Sequence, residues 1–444
     1  MNIVIAVHHF PPRYIGGTEL EATRLAAGLL ERGHTVNVIC IEPCRRHLAP
    51  AESPYRDEVY QGIPLRRLKS SAVPFSKMTR TEYDNPFVRD HLTEFLGLHR
   101  PEIFHLMGGY LLSASGLNVA RELRIASVVT LMDFWFLCQR LWLLRSNGEL
   151  CRPPTDPVDC VHCLGEERRS FRWPGKVAPR LARRLWGLRH KAVEQCRDRQ
   201  EFLLESLNLA NALICRSLFV RSVFIEGGID PAGIRFLRQG SPFHDVAPTV
   251  QSSSRSNQLC LTFFGQIFWH KGVHVLIEAM RKIPRVPILC RIYGDLSAFP
   301  DYVRKVRRLA ARDTRVKFEG LCHNGEELSQ AMRNTDAVIF PSLWYENSPN
   351  VILEAFSHRV PVIASNLGGQ AELVRHNING LLFTPADPTC LAEQIQRLIN
   401  DPGLLPRLRE GIRPVTSMSE ELDELERIYR AAADSIVPLR NPGS

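Results

Sequence analysis

The sequence predicts an α/β protein made of two doubly wound parallel sheets, and three observations carry the prediction. Short β-rich apolar runs alternate with amphipathic helical stretches from the first residues onward. The alternation pauses at a polar stretch near residues 240–257 and then starts afresh. Glycine-bearing loops recur directly after the predicted strands, at the carboxyl ends where ligands of open α/β sheets bind.

In chain order, residues 3–7 read as a buried strand, 19–32 as an amphipathic helix stopped by Gly33, and 36–41 as the next strand. Residues 103–106 and 127–131 continue the series. Strand, helix, strand in succession implies parallel pairing with helices on both faces. Beyond the polar stretch, residues 259–264, 287–293, 316–319, 337–340 and 361–364 read as strands, and 419–433 as a helix. The expected organisation is a Rossmann-like domain at 1–240 with a Cys-rich insertion near 138–163, and a linker at 241–257. A second Rossmann-like domain follows at 258–412, and a helical segment at 413–444 is predicted to pack back onto the first. Two such sheets facing one another would enclose a cleft.

With 444 residues the chain is long enough for two or three domains. Its 44% hydrophobic and 23% charged residues are those of a soluble globular protein, not a disordered one. The first residues lack a basic leader and cleavage site, and no apolar run reaches membrane-spanning length. A cytoplasmic protein with its 12 cysteines mainly reduced is therefore expected. The net charge of +9 favours anionic partners such as nucleotides, anionic lipid surfaces or nucleic acid. Zinc-finger, RRM-like and basic-zipper patterns are absent, so no nucleic-acid partner is expected.

The most informative stretch is Trp344-Tyr345-Glu346-Asn347-Ser348-Pro349-Asn350-Val351-Ile352-Leu353-Glu354, where two carboxylates eight positions apart flank a helix start. Ser348 reads as the N-cap and Pro349 as the first helical residue. The amides of Asn350 and Val351 then lie in the first turn, where unpaired donors and the helix dipole favour an anion. A phosphate joined to hydroxyl-bearing sugars on both sides fits that arrangement. A capped helix with two solvated acids has the same spacing. Three further loops share the strand, glycine, helix order: Gly16-Gly17, Gly265-Gln266 through Lys271-Gly272, and Gly368-Gly369 before Glu372. Lys271 stands at a helix entrance, which is unfavourable for a cation unless an anion is near.

Taken in order with Pro361-Val362-Ile363-Ala364, these motifs resemble those of the retaining GT-B glycosyltransferases of family 4, over residues 1 to about 400. The resemblance implies a fold of two Rossmann-like domains, the first on the acceptor side and the second binding a nucleotide sugar. It implies that Lys271 binds the donor diphosphate, Glu346 the hydroxyls of the transferred sugar and Glu354 the ribose. The amides of Asn350 and Val351 would lie near the phosphates, and Gly16-Gly17 would close over the donor. No catalytic metal is implied, so Lys271 and helix amides would meet the charge on the leaving diphosphate.

The chain departs from that family at three places. Gln266 stands where relatives usually carry Arg, so weaker donor binding or a compensating Arg is expected. Met132 stands where they typically carry His, just before Asp133, which leaves Asp133 or His105 to supply polar contacts near the reacting centre. Tyr293-Gly294-Asp295 lacks a second glycine, a change of little mechanistic weight.

Cys138, Cys151, Cys160 and Cys163 follow the spacing C-x12-C-x8-C-x2-C. They read as four ligands of one structural zinc, as ligands of an iron–sulfur cluster, or as unlinked thiols. The Arg-rich residues 168–199 carry an apolar stripe of Leu181, Leu185, Leu188 and Ala192 beside Trp186. That stripe either packs on the core or rests on an anionic membrane, where lipid-linked acceptors are found. The expected function is metal-independent transfer of a hexose from a UDP- or GDP-sugar to a glycan or lipid-linked acceptor, in polysaccharide or cell-envelope assembly. The alternatives are a catalytically inactive nucleotide-sugar-binding protein of the same fold and, as another enzyme, a sugar phosphorylase or epimerase.

Overall fold

The structure, a computed structural model, describes residues 1–44, 52–70, 79–167, 177–243, 258–322 and 325–436. The chain divides into two compact units, one of Met1–Leu237 with the residues from Glu421 onward, the other of Arg238–Glu420. Most of the expected linker at 241–257 lies outside the described residues.

The first unit is an eight-stranded sheet in the order β3-β4-β2-β1-β5-β6-β7-β8. Its strands are β1 Asn2–Val7, β2 Thr35–Pro43, β3 Tyr55–Tyr60, β4 Ile63–Ser70, β5 Ile103–Met107, β6 Ala126–Thr130, β7 Ala212–Cys215 and β8 Ile234–Phe236. All pairings are parallel except β3 with β4. The central β1 is apolar throughout its buried length because both of its faces are covered. The helix Gly17–Glu31 returns the chain to β2, and Gly33, expected to stop it, makes a left-handed turn at φ 82°.

The helix Met418–Asp434 packs onto this sheet from Glu421 on. Its Tyr429 hydroxyl lies 2.7 Å from His105 Nδ1, and its Glu421 pairs at 2.8 Å with Arg216, which pairs at 2.5 Å with Glu21 as well. Arg216 and Glu421 are each 1% exposed, so the cation and its carboxylates form a buried ionic cluster.

The second unit is an all-parallel sheet in the order β11-β10-β9-β12-β13-β14. Its strands are β9 Leu259–Phe264, β10 Ile288–Tyr293, β11 Val316–Gly320, β12 Ala337–Phe340, β13 Val362–Ser365 and β14 Gly380–Phe383. One face is packed by the helices Val273–Lys282, Pro300–Ala310 and Pro388–Asn400, the other by Glu326–Arg333 and Asn350–Ser357. Both sheets are thus doubly wound and Rossmann-like.

Candidate functional site

In the second unit the chain runs outward from β9 through β10 to β11, then returns to β12 and runs outward the other way through β13 to β14. The crevice at the carboxyl ends of β9 and β12 is therefore the topological switch point, where open α/β sheets bind ligands. The loop after β9 carries Gln266 and Lys271, and the loop after β12 carries Glu346. Leu343 N donates to His270 O at 2.7 Å and ties the two loops together.

Glu346 is 8% exposed. Its Oε1 accepts from Lys271 Nζ at 2.6 Å, Ser342 Oγ at 2.9 Å and Trp344 Nε1 at 2.6 Å. Among the described residues no donor reaches Oε2. The Lys271 ammonium also lies 5.1 Å from the centre of the Trp344 ring. The anion that Lys271 needs at its helix entrance is thus supplied by the chain itself. Ser342 and Trp344 were not singled out from sequence. The only signal was a polar and an aromatic residue next to the Glu346 motif.

Glycines hold these loops in contact. Gly272 sits at φ 72°, and a Cβ there would lie 1.9 Å from Pro341 O. A Cβ at Gly369 would lie 1.6 Å from Asn347 O, while its N–H donates to Glu346 O at 2.8 Å. The Gly368-Gly369 pair therefore seats the Glu346 loop by direct backbone approach.

The helix after Glu346 starts one residue later than the sequence suggested, spanning Asn350–Ser357 with Pro349 at the N-cap and no side-chain cap bond. Ser348 is occupied elsewhere. Its carbonyl accepts from Gln239 Nε2, and its Oγ lies 3.4 Å from Arg238 Nη1. Arg238 also pairs with Glu372, which puts a cation beside the helix start. Its position at the edge of the expected linker gave no motif signal. Asn350 and Val351 keep their place in the first turn, Glu354 lies in the same helix, and Gln266 is exposed.

The switch point of the first unit lies between β1 and β5. The rings of His8 and Tyr110, from the loops after these strands, are 5.7 Å apart. Gly16 is the N-cap and Gly17 the first residue of the following helix. His8 Nε2 lies 3.2 Å from Glu19 Oε1, and a Cβ at Gly16 would meet Glu19 Oε2 at 2.6 Å. Burial works to raise the Glu19 carboxyl, but the bond and charge of His8 outweigh it and hold the pKa below its ordinary value. This helix start therefore already has a carboxylate at its positive end.

Asp133 Oδ1 accepts from Trp135 N at 2.8 Å, and burial raises the Asp133 pKa against that bond and the charges of His8 and Arg199. Met132 is half-buried, its Cβ 3.6 Å from where a side chain on Gly108 would begin. His105 cannot take the role left open by Met132. It is fully buried, with Nδ1 bonded to Tyr429 and Nε2 to Thr130 Oγ1 at 2.7 Å each, and burial lowers its pKa to about 3.

Residues 258–401 match the family model of the group 1 glycosyl transferases, and residues 16–190 match that of the glycosyl transferase 4-like domain. The chain belongs to the group 1 glycosyltransferases. This glycosyltransferase is 29% identical to an uncharacterised glycosyltransferase of Methanocaldococcus jannaschii, over 98% of this chain and 99% of the relative. It is 26% identical to the glycogen synthase of Mycobacterium tuberculosis, over 93% and 89% of the two chains. Among solved structures it is similar to HepE of Anabaena in complex with UDP, with a TM-score of 0.67 at 18% identity over 97% of this chain and all of the other. Sucrose-phosphate synthase of Thermosynechococcus elongatus has a TM-score of 0.66, also at 18% identity, over 97% and 98% of the two chains. The fold is GT-B.

In this glycosyltransferase Cys138, Cys151, Cys160 and Cys163 line one cavity of about 40 Å³, together with four leucines and polar residues that include Arg140, Arg145 and Asp159. The four thiols that their spacing suggested as ligands of one zinc thus share a cavity. Among the described residues no three His, Cys, Asp or Glu side chains are grouped so as to hold a metal ion. The thiols instead have neutral or cationic partners: Cys160 lies 3.2 Å from Thr155 Oγ1, and Cys163 accepts from Arg140 at 3.7 Å. Burial pushes the Cys138 thiol up to about 12 and raises Cys163 as well, so the protonated forms are favoured. No helix of the described residues is long and apolar enough to cross a membrane.

Proposed function

We propose that this glycosyltransferase transfers a hexose, with retention, from a UDP- or GDP-sugar to a glycan or lipid-linked acceptor in polysaccharide or cell-envelope assembly. One observation carries the reading. At a topological switch point, a buried carboxylate has one oxygen filled by three donors and the other open to a ligand. Glu346 Oε2 would accept from the hydroxyls of the transferred sugar. Lys271, an ammonium with three N–H donors, spends one on Glu346 and has others for the diphosphate. The first-turn amides of Asn350 and Val351 would add neutral donors, and Glu354 would bind the ribose hydroxyls. Arg238 would contribute the positive charge that Gln266 does not.

In the proposed transfer the bond between the anomeric carbon and the diphosphate oxygen breaks while the acceptor hydroxyl attacks from the same face. The acceptor proton passes to the departing phosphate oxygen, and Lys271 with the amides stabilises the charge that develops there. No catalytic metal enters this scheme. By family resemblance Gly16 and Gly17 would contact the donor, and Asp133 would supply polar contacts near the reacting centre. The UDP bound by HepE, and the glycogen synthase among the relatives, support the donor class and the polymer setting.

The test is a donor screen with Glu346→Gln as comparison. The wild type should be stabilised by one UDP- or GDP-sugar and hydrolyse it slowly, and the variant should lose about a hundredfold or more in kcat. The reading is wrong if no nucleotide sugar binds or reacts and Glu346→Gln changes nothing. Met132 favours a second reading, an inactive nucleotide-sugar-binding protein. On that reading donor binds without turnover, and Met132→His does not restore activity.

A further inference from the structure

In the first unit the helices Pro157–Gly165, Pro179–Gly187 and His190–Asn208 pack around a small apolar cluster containing Val161, Val193 and Cys196. Two side chains hold Pro179–Gly187 down. Ala182 is 6% exposed, and Trp186 fits so closely over Gly165 that a Cβ there would fall 2.1 Å from its ring. Arg183 adds ion pairs to Asp156 and, at 2.7 Å, to Asp159. The rest of the helix faces outward. Leu181 and Leu185 are each 57% exposed, and Leu188 is 68% exposed. Their spacing of four and three residues puts them on one stripe. The sequence left open whether this stripe packs on the core: its three leucines do not, whereas Ala192 and Trp186 pack against the small cluster.

Around the leucines stand the exposed cations Arg180, Arg184, Arg189 and Lys191. Between residues 177 and 191 there is no Asp or Glu. We propose that this face docks on an anionic phospholipid bilayer, with the leucine stripe entering the headgroup region and the four cations meeting lipid phosphates. Charge complementarity selects that occupant. A two-fold contact with a second copy would bring the acid-free residues 177–191 against themselves, cation to cation. A bilayer accepts leucines and cations over one continuous surface. The inference does not depend on which donor the enzyme uses.

Co-sedimentation of the full chain with vesicles tests it. The protein should pellet with phosphatidylcholine vesicles containing phosphatidylglycerol but not with phosphatidylcholine alone, and high salt should release it. Removing each cation by Arg→Gln or Lys→Gln should weaken binding about fivefold. The triple variant Leu181→Gln, Leu185→Gln, Leu188→Gln should abolish pelleting with thermal unfolding unchanged, because these side chains are solvent-exposed. Three outcomes overturn the proposal. The wild type fails to pellet with anionic vesicles at low salt, the triple variant pellets like the wild type, or gel filtration shows a dimer that the triple variant breaks. Donor hydrolysis, measured in parallel without vesicles, should be equal in the two proteins, so failure here leaves the transferase reading intact.

Discussion

Lys271 and Glu346 were legible as single residues because each belongs to a loop that follows a strand and precedes a helix, an order fixed along the chain. Their partnership was not legible, since 75 positions separate the two. Arg238 went unrecognised for the same reason, whereas Ser342 and Trp344 stand four and two residues from Glu346 in an irregular loop, where no helix or strand period says which side chains meet. The N-cap assigned to Ser348 failed because its carbonyl and hydroxyl are drawn to Gln239 and Arg238, a tertiary competition that local propensity cannot register. Gly272 gives a test at this scale. Gly272→Ala places a Cβ at φ 72° against Pro341 O and should destabilise the protein by about 3 kcal/mol, read as a lower denaturant midpoint. An unchanged midpoint would mean that the two loops are not held together as described.

Apolar strands such as β1 and β9 were read from the sequence within a residue, because a parallel strand covered on both faces is a near-continuous apolar run. The β3–β4 pair escaped notice. β3 is half-exposed and charged, and β4 buries Arg66 and Arg67, which only its partners make tolerable. Asp57 and Glu94 pair with Arg66, and Glu58 with Arg67. A run with two buried arginines does not look like a strand. The contact between the C-terminal helix and β5 yields a pH prediction. His105 titrates near 6.5 when unfolded, but its folded pKa is lowered to about 3 by burial and the Arg216 charge. As pH falls below 6.5 the unfolded chain gains a proton that the folded protein refuses, so stability is lost progressively down to about 3. Between neutral pH and about pH 5 the loss should be about 2 kcal/mol. His105→Gln, with a group that does not titrate, should lose that much less over the same interval in urea unfolding. Equal losses in both proteins would refute the assignment.

At the scale of the whole molecule, the sequence revealed two repeats of one winding rule but not how the chain is shared between them. The second unit is a single stretch, Arg238–Glu420, whereas the first needs residues from both ends of the chain. Residues 238–420 produced alone should therefore unfold in one cooperative transition, and residues 1–237 alone should not. Circular dichroism and denaturant titration of the two fragments check this, and a cooperative 1–237 fragment would contradict it. Such a dependence fits the buried cluster, in which Arg216 lies between Glu21 and Glu421. During synthesis the ribosome delivers Glu21 and Arg216 long before Glu421. The N-terminal unit must wait, with one of its buried counter-charges missing, while the whole second unit emerges and folds. A message truncated just before codon 421 would therefore yield a chain whose second unit is whole but whose first lacks one of its buried counter-charges.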